Sequence, residues 1–218
     1  MEVLRQQFEL AEEAERGPRA RTRRLMLATA SRLMQAGVTP SVSEVAEAAG
    51  VSRATAYRYF PSQAALVQAV VDEALGPILT WRSDSQCAEQ RIAELFESSL
   101  PRLEQFEATF KAALKLSLQQ WAQGQADALG NEPQFKRGHR VELLRQALAP
   151  LKRELPEKRV ERLAQALSLI FGVEMLIVLK DIWGLEGREA REVADWAAGA
   201  LVRAAIAEGE NRKTGGTG

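Results

Sequence analysis

Between Ser52 and Phe60 the chain sets out two arginines, two tyrosines and two hydroxyl side chains, and no acid: Ser52-Arg53-Ala54-Thr55-Ala56-Tyr57-Arg58-Tyr59-Phe60. Guanidinium and hydroxyl donors without a competing carboxylate are the groups that contact phosphate oxygens and base edges. If the segment is helical, Ala56 and Phe60 lie four apart on one face and turn inward. Arg53, Thr55, Tyr57 and Arg58 are then left for the other face. The chemistry this predicts is nucleic-acid contact, with Arg53, Thr55 and Arg58 reaching bases or phosphates and Tyr57 and Tyr59 positioning the backbone.

Such a surface needs short, firmly ended helices to present it. Ser41 followed three residues later by Glu44 is a capping box, in which each side chain satisfies a backbone N–H at a helix start. Val45, Ala46 and Ala49 form a narrow apolar stripe on a helix of about two turns. Gly50 stands where the chain must leave that helix in a left-handed conformation, Val51 plugs the turn, and Ser52 caps the next helix. The pattern is that of a helix-turn-helix, whose second helix enters the DNA major groove. A helical hairpin with an incidentally basic face would share the turn. On either side, residues 21–37 read as an amphipathic helix closed by Gly37, and Ser62 caps a further helix carrying Leu66, Val67, Val70 and Val71.

This order of elements resembles the N-terminal domain of the TetR/AcrR family of bacterial transcriptional regulators. The residues that carry the resemblance are Gly37, Ser41, Val45-Ala46, Ala49-Gly50-Val51-Ser52, Tyr57, Tyr59-Phe60 and Leu66. It covers roughly a quarter of the chain and is specific in order and spacing. It implies DNA contacts from Ser41, Ser52, Arg53, Thr55, Tyr57, Arg58, Tyr59 and Gln63. Three positions depart from the family pattern: Gln63 stands where a phosphate-touching lysine is usual, Ser43 where a basic residue is frequent, and Ala56 where a bulky apolar residue is common.

Overall charge is zero, with 29 Lys+Arg against 29 Asp+Glu. Locally it is not: residues 16–60 hold Arg16, Arg19, Arg21, Arg23, Arg24, Arg32, Arg53 and Arg58 against Glu44 and Glu47 alone. Since screening confines each charge to about 10 Å, a basic patch on a neutral protein suffices to attract phosphate. Residues 1–15 are acidic, with Glu2, Glu9, Glu12, Glu13 and Glu15 against Arg5. They read as a loosely docked helix or, alternatively, as a segment that touches the basic face and weakens non-specific binding. Glutamates interrupt every apolar run there, so no signal peptide is expected.

The remaining chain predicts an all-α protein, an N-terminal three-helix helix-turn-helix DNA-binding domain followed by a C-terminal helical bundle for ligand binding and dimerisation. Helices are expected near 90–103, 105–123, 136–149, 157–182 and 188–207, with breaks at Gly76-Pro77, Gly124, Gly130 to Pro133, Pro150, Pro156 and Gly184 to Gly187. The expected organisation is an acidic leader (1–17), a reader with its linker helix (18–75), a ligand-binding and dimerisation domain (76–209) and a disordered tail (210–218). Val193, Trp196, Ala197, Ala200, Leu201 and Ala204 fall on one helical stripe, and residues 167–179 are apolar almost all round. A helix without a polar face must be covered on both sides. That predicts a homodimer; a membrane span needs ~20 apolar residues, and this run is shorter and contains Glu174. The resemblance implies the same dimer, a four-helix bundle from the last two long helices.

Phe106, Phe110, Ala113, Leu114, Ser117 and Trp121 share a second face, and Phe171, Met175 and Val178 can oppose it from a later helix. The stripe fits plain core as well as a ligand box. The resemblance implies an effector pocket in these middle helices, to which Phe106, Phe110, Leu114, Ser117, Trp121, Phe171, Glu174 and Met175 are assigned. Glu174, if buried, requires either a cationic ligand or an arginine partner. His139, the single histidine, sits among Lys136, Arg137 and Arg140 and reads as a surface residue. One histidine and one cysteine (Cys87) cannot form a metal cluster or an internal disulfide, and no phosphate-binding glycine loop is present, so neither enzyme, metal nor cofactor is expected. The expected function is that of a cytoplasmic repressor, released from a palindromic operator in double-stranded DNA by a small apolar or amphipathic effector. A helical protein-interaction adaptor is the alternative.

Overall fold

The computed structural model describes residues 17–125, 133–135 and 137–214, with side chains to residue 209. The acidic leader (1–16), residues 126–132, Lys136 and the last four residues lie outside it. In chain order the helices are α1 (Pro18–Gln35), α2 (Val42–Ala48), α3 (Arg53–Tyr59), α4 (Gln63–Leu75), a 3-10 turn (Gly76–Thr80), α5 (Ala88–Gln105) and α6 (Glu107–Gln125). There follow α7 (His139–Ala147), a second 3-10 turn (Ala149–Arg153), α8 (Glu157–Ser168), α9 (Val173–Leu176), a π-helical stretch (Ile177–Ile182) and α10 (Gly187–Thr214). No strand occurs among the described residues, as the sequence led us to expect.

Two compact units share the chain: residues 1–73 with 108–136, and residues 74–107 with 137–218. In the first, α1 opens on Pro18, whose missing N–H falls where no intrahelical partner exists. Met26, Ala30 and Met34 line its inner face and are fully buried. They are joined in the core by Val42, Val45 and Ala46 of α2, Ala56 of α3, Phe60, and Leu66, Val67 and Val70 of α4. Removing each large side chain of this set from water contributes about 1.5–3 kcal/mol. The part of α6 in this unit buries Phe110, Ala112, Ala113 and Leu116. Further along, the buried Gln120 amide donates to the Pro133 carbonyl (3.2 Å) and accepts the Phe135 N–H (2.8 Å), which fixes the 133–135 segment.

In the second unit α5 packs on α10 and α7, and α8 on α7 and α10. Ile92, Leu95, Phe96 and Leu100 of α5 are buried in this unit, as are Leu143, Leu144, Leu163, Leu167 and Phe171, with the Phe96 and Phe171 rings 5.0 Å apart. Arg91 is buried there as well. It donates to the carbonyls of Ser83 (2.6 Å), Ser85 (3.1 Å), Gln146 (2.9 Å) and Ala147 (3.0 Å), so the loop before α5 is tied to the C-terminal end of α7.

Several boundaries differ from those read in the sequence. The break expected at Gly124 is absent, because α6 continues through it to Gln125. The helix expected over 157–182 is interrupted: α8 stops at Ser168, and the chain turns through Gly172 at φ +142° before α9 begins. The helix expected over 136–149 is shorter, because Pro150 cannot continue it and the chain tightens into the 3-10 turn. At the C-terminal end α10 runs through Thr214, past the end read at 207; of the tail, residues 215–218 lie outside the described residues.

Candidate nucleic-acid interface

Every joint of the hairpin is made by local hydrogen bonds. At the start of α2, the Glu44 amide donates to Ser41 Oγ (3.2 Å) and the Ser41 amide to Glu44 Oε2 (2.7 Å), the reciprocal pair that the capping box predicts. The bond from the Ser41 amide, then that with its hydroxyl, holds the Glu44 carboxyl below the usual glutamate range. At the other end, Gly50 donates to the Glu47 carbonyl (3.2 Å) and Val51 to that of Ala46 (2.9 Å), a Schellman turn with Gly50 at φ +66°. Ser52 then caps α3, accepting the Thr55 amide at 3.2 Å and donating to Thr55 Oγ1 at 3.0 Å. Ser62 does the same for α4 through the Ala65 amide (3.1 Å).

Fixed in this way, α3 turns Ala56 into the core and leaves Ser52, Arg53, Ala54, Tyr57 and Arg58 exposed, with Thr55 and Tyr59 half-buried at the edges. Neither Arg53 nor Arg58 makes an ion pair among the described residues. The Arg58 guanidinium lies 5.6 Å from the Tyr59 ring centroid, and Arg23 of α1 stands at the same distance over buried Phe60. Tyr57 and Ser43 hydroxyls share a hydrogen bond at 3.3 Å, linking the outer face of α3 to α2. Of the residues named from the sequence, Ser41 and Ser52 are engaged as caps. Gln63 is half-buried and directs its amide nitrogen to the carbonyls of Thr39 (3.2 Å) and Pro40 (3.1 Å). Sequence reading missed the parts played by Thr39 and Arg23, because each depends on a partner from another element.

The residues assigned to an effector fall in both units. In the first, Phe110 is buried, Leu114 and Ser117 are half-buried, and Trp121 is 66 % exposed. In the second, Phe171 and Met175 are core residues and Phe106 is half-buried under the Arg102 guanidinium, 5.0 Å from its ring centroid. Glu174 has the arginine partners that sequence reading set beside a cationic ligand. Arg137 contacts one carboxylate oxygen, and Arg140 Nη2 lies 2.6 Å from the other. Partial burial would raise the Glu174 pKa, but the hydrogen bond and charge of Arg140, with the hydrogen bond of Arg137, outweigh it and hold the carboxyl below its ordinary range. Arg140 also donates to the Ser168 carbonyl at 3.1 Å, capping the end of α8. A Cβ at Gly172 would come within 2.9 Å of the Arg140 Cζ, so the glycine break is what admits this guanidinium.

The last helices carry two apolar faces. Ala190, Ala194, Ala198 and Val202 of α10 are buried in the unit. Val193 and Trp196 stand outside it, as do Leu169, Val178, Ile182 and Trp183, with Ile182, Trp183 and Trp196 each more than 70 % exposed. No single helix among the described residues is long and apolar enough to cross a membrane. No cluster of His, Cys, Asp or Glu able to hold a metal occurs among them.

Among the described residues, all-helical structure that projects a capped, acid-free helix from a helix-turn-helix is the arrangement that DNA-binding regulators use to read the major groove. Residues 26–70 match the family model of bacterial regulatory proteins, tetR family. The fold is similar to that of a TetR transcriptional regulator from Rhodococcus sp. RHA1, with a TM-score of 0.53 and 19 % identity over 84 % of this chain and 96 % of that one. No curated protein matches. The reader domain is thus of the tetR-family type, over the residues that the family model matches.

Proposed function

We propose that the protein is a homodimeric repressor that binds a palindromic operator and leaves it when a small apolar or amphipathic effector binds. The observation that carries the reading is the outer face of α3. Two guanidiniums with no ion pair among the described residues, exposed Tyr57 and half-buried Tyr59 stand on a helix capped at its start and joined to α2 by the Schellman turn. Arg53, Thr55 and Arg58 contact bases or phosphates, and Tyr57 and Tyr59 hold the backbone, with Ser41 and Ser52 at the edge of the contact. The exposed apolar side chains of the π-helical stretch and α10 are the proposed subunit interface. Reading a palindrome in successive major grooves requires of such a dimer that its two copies of α3 stand about 34–36 Å apart, one turn of DNA.

The effector acts by binding the non-DNA state better, each tenfold loss of operator affinity requiring about 1.4 kcal/mol of preference. Phe106, Phe110, Leu114, Ser117, Trp121, Phe171 and Met175 are its proposed contacts. Glu174 enters the proposal as a carboxylate already neutralised by Arg137 and Arg140, which favours an uncharged over a cationic effector. Selection of duplexes from a random pool tests the core of the reading. Enrichment of two inverted half-sites about one helical turn apart supports it, and failure to enrich any sequence, with or without added metabolites, refutes it.

A further inference from the structure

The hairpin is stiff within itself, so its orientation is set where it joins the rest of its unit. One join is the loop Thr39-Pro40, immediately ahead of the Ser41 cap. Gln63, the first residue of α4, gives both hydrogens of its amide nitrogen to consecutive carbonyls of this loop, at 3.2 and 3.1 Å. Two carbonyls face that end of the side chain, so it must be the donor end. What remains is the Gln63 carbonyl oxygen, an acceptor, which offers nothing to a DNA phosphate. The same loop is held from a third side, since Thr39 Oγ1 donates to the Ala112 carbonyl of α6 at 3.3 Å. Pro40 is buried and has no N–H of its own, so only its carbonyl can anchor it by hydrogen bonding.

We propose that Gln63 is a positioning residue of the reader, which, with Thr39, fixes the angle of α2 and α3 against α4 and α6. This rests on the DNA-binding reading above and gives Gln63 a part other than phosphate contact. A rigid reader on a two-fold dimer tolerates one half-site separation. Loosening the loop lets each α3 swing, so neighbouring separations become acceptable. Loss of a phosphate contact would weaken binding at every separation alike, and loss of stability alone would leave the preferred separation unchanged.

The test is a set of duplexes with the selected half-sites separated by one base pair more or less than the optimum, read against full-length protein. The variants are Gln63→Met, which keeps length without a donor, and Thr39→Val, which keeps shape without the hydroxyl. Each should lose about three- to tenfold affinity at the optimal separation, the effect of one or two hydrogen bonds. Each should also lose less at the neighbouring separations, so that the profile flattens. A uniform loss at all separations, or an unchanged profile in both variants, overturns the proposal. Should Gln63→Met fail to fold by circular dichroism, Thr39→Val decides alone. If the unaltered protein selects no palindrome, the DNA-binding reading itself is what has failed, and this inference falls with it.

Discussion

Replacing Gly172 by alanine should destabilise the second unit by about 3 kcal/mol, from two separable sources. The first is the backbone: φ +142° with ψ −173° is a region that only glycine occupies readily, and holding another residue there costs about 1–3 kcal/mol. The second is a collision, because the new Cβ would stand 2.9 Å from both Cζ and Nη2 of Arg140. The guanidinium must then withdraw from the Ser168 carbonyl and from Glu174. Charge-assisted bonds contribute about 1.5–3 kcal/mol; Glu174 keeps Arg137 and is partly exposed, so we set this loss near 1 kcal/mol. In an Arg140→Ala background the collision vanishes and only the backbone cost remains, about 2 kcal/mol. Urea unfolding of the two single variants and the double variant should therefore show a coupling of about 1 kcal/mol. Additivity to within about 0.5 kcal/mol would refute the Arg140 contact. The sign of the single change is more telling still. Were 157–182 one continuous helix, alanine in place of glycine would stabilise it by up to about 1 kcal/mol, so a stabilised Gly172→Ala protein would remove the break altogether.

Four further outcomes are expected. Ser41→Ala should lower the stability of the first unit by about 1 kcal/mol through the lost cap, measurable by urea unfolding. Because the folded Glu44 carboxyl titrates below its unfolded value, its contribution is present above the unfolded pKa and fades as pH falls through the folded one; Glu44→Gln should flatten that acid limb, as followed by thermal melts from pH 6 to pH 3. Arg53→Ala should change base preference at one operator position by about 1–3 kcal/mol, whereas Tyr57→Phe should weaken all sites about equally; the reverse pattern in a binding array would reassign the face. Trp196→Glu, at a side chain 72 % exposed on α10, should turn a dimer into a monomer by light scattering without lowering the helical content.

The hairpin was legible because its determinants are close in sequence. Ser41 with Glu44, Gly50 with Glu47, Val51 with Ala46, and Ser52 with Thr55 all interact within five residues, so residue type and spacing carry the geometry. That the described residues would be helical was legible for the same reason, although the 3-10 turns and the π-helical stretch were not read. The end of α8 was not, although Gly172 in the middle of an apolar run is the usual signal for a break. Hydrophobic periodicity gave no reason to stop there. The reason lies 32 positions earlier in sequence, in Arg140, which needs the space a side chain would fill and supplies the cap that Ser168 would otherwise lack.

The same distinction separates the two sets of candidate residues. A DNA-reading face can be recognised from one helix, because phosphate and base edges are met from outside and the residues must simply be exposed. The α3 side chains satisfy that condition one by one. An effector contact is made by residues on several helices, and its aromatic stripe is chemically identical to core: Phe171 is a core residue stacked on Phe96, while Trp121 is open. Burial alone cannot rank such residues, but unmatched charge can. Glu174 was the one polar residue in its stretch whose burial demanded an explanation, and two arginines supply it within the same unit. On α10, Ala190, Ala194, Ala198 and Val202 recur every four residues and close the unit's own core, leaving Val193 and Trp196 outside it. An apolar side chain that its own unit does not cover remains in water unless a second surface meets it, and the two-fold partner proposed for this face would bury it.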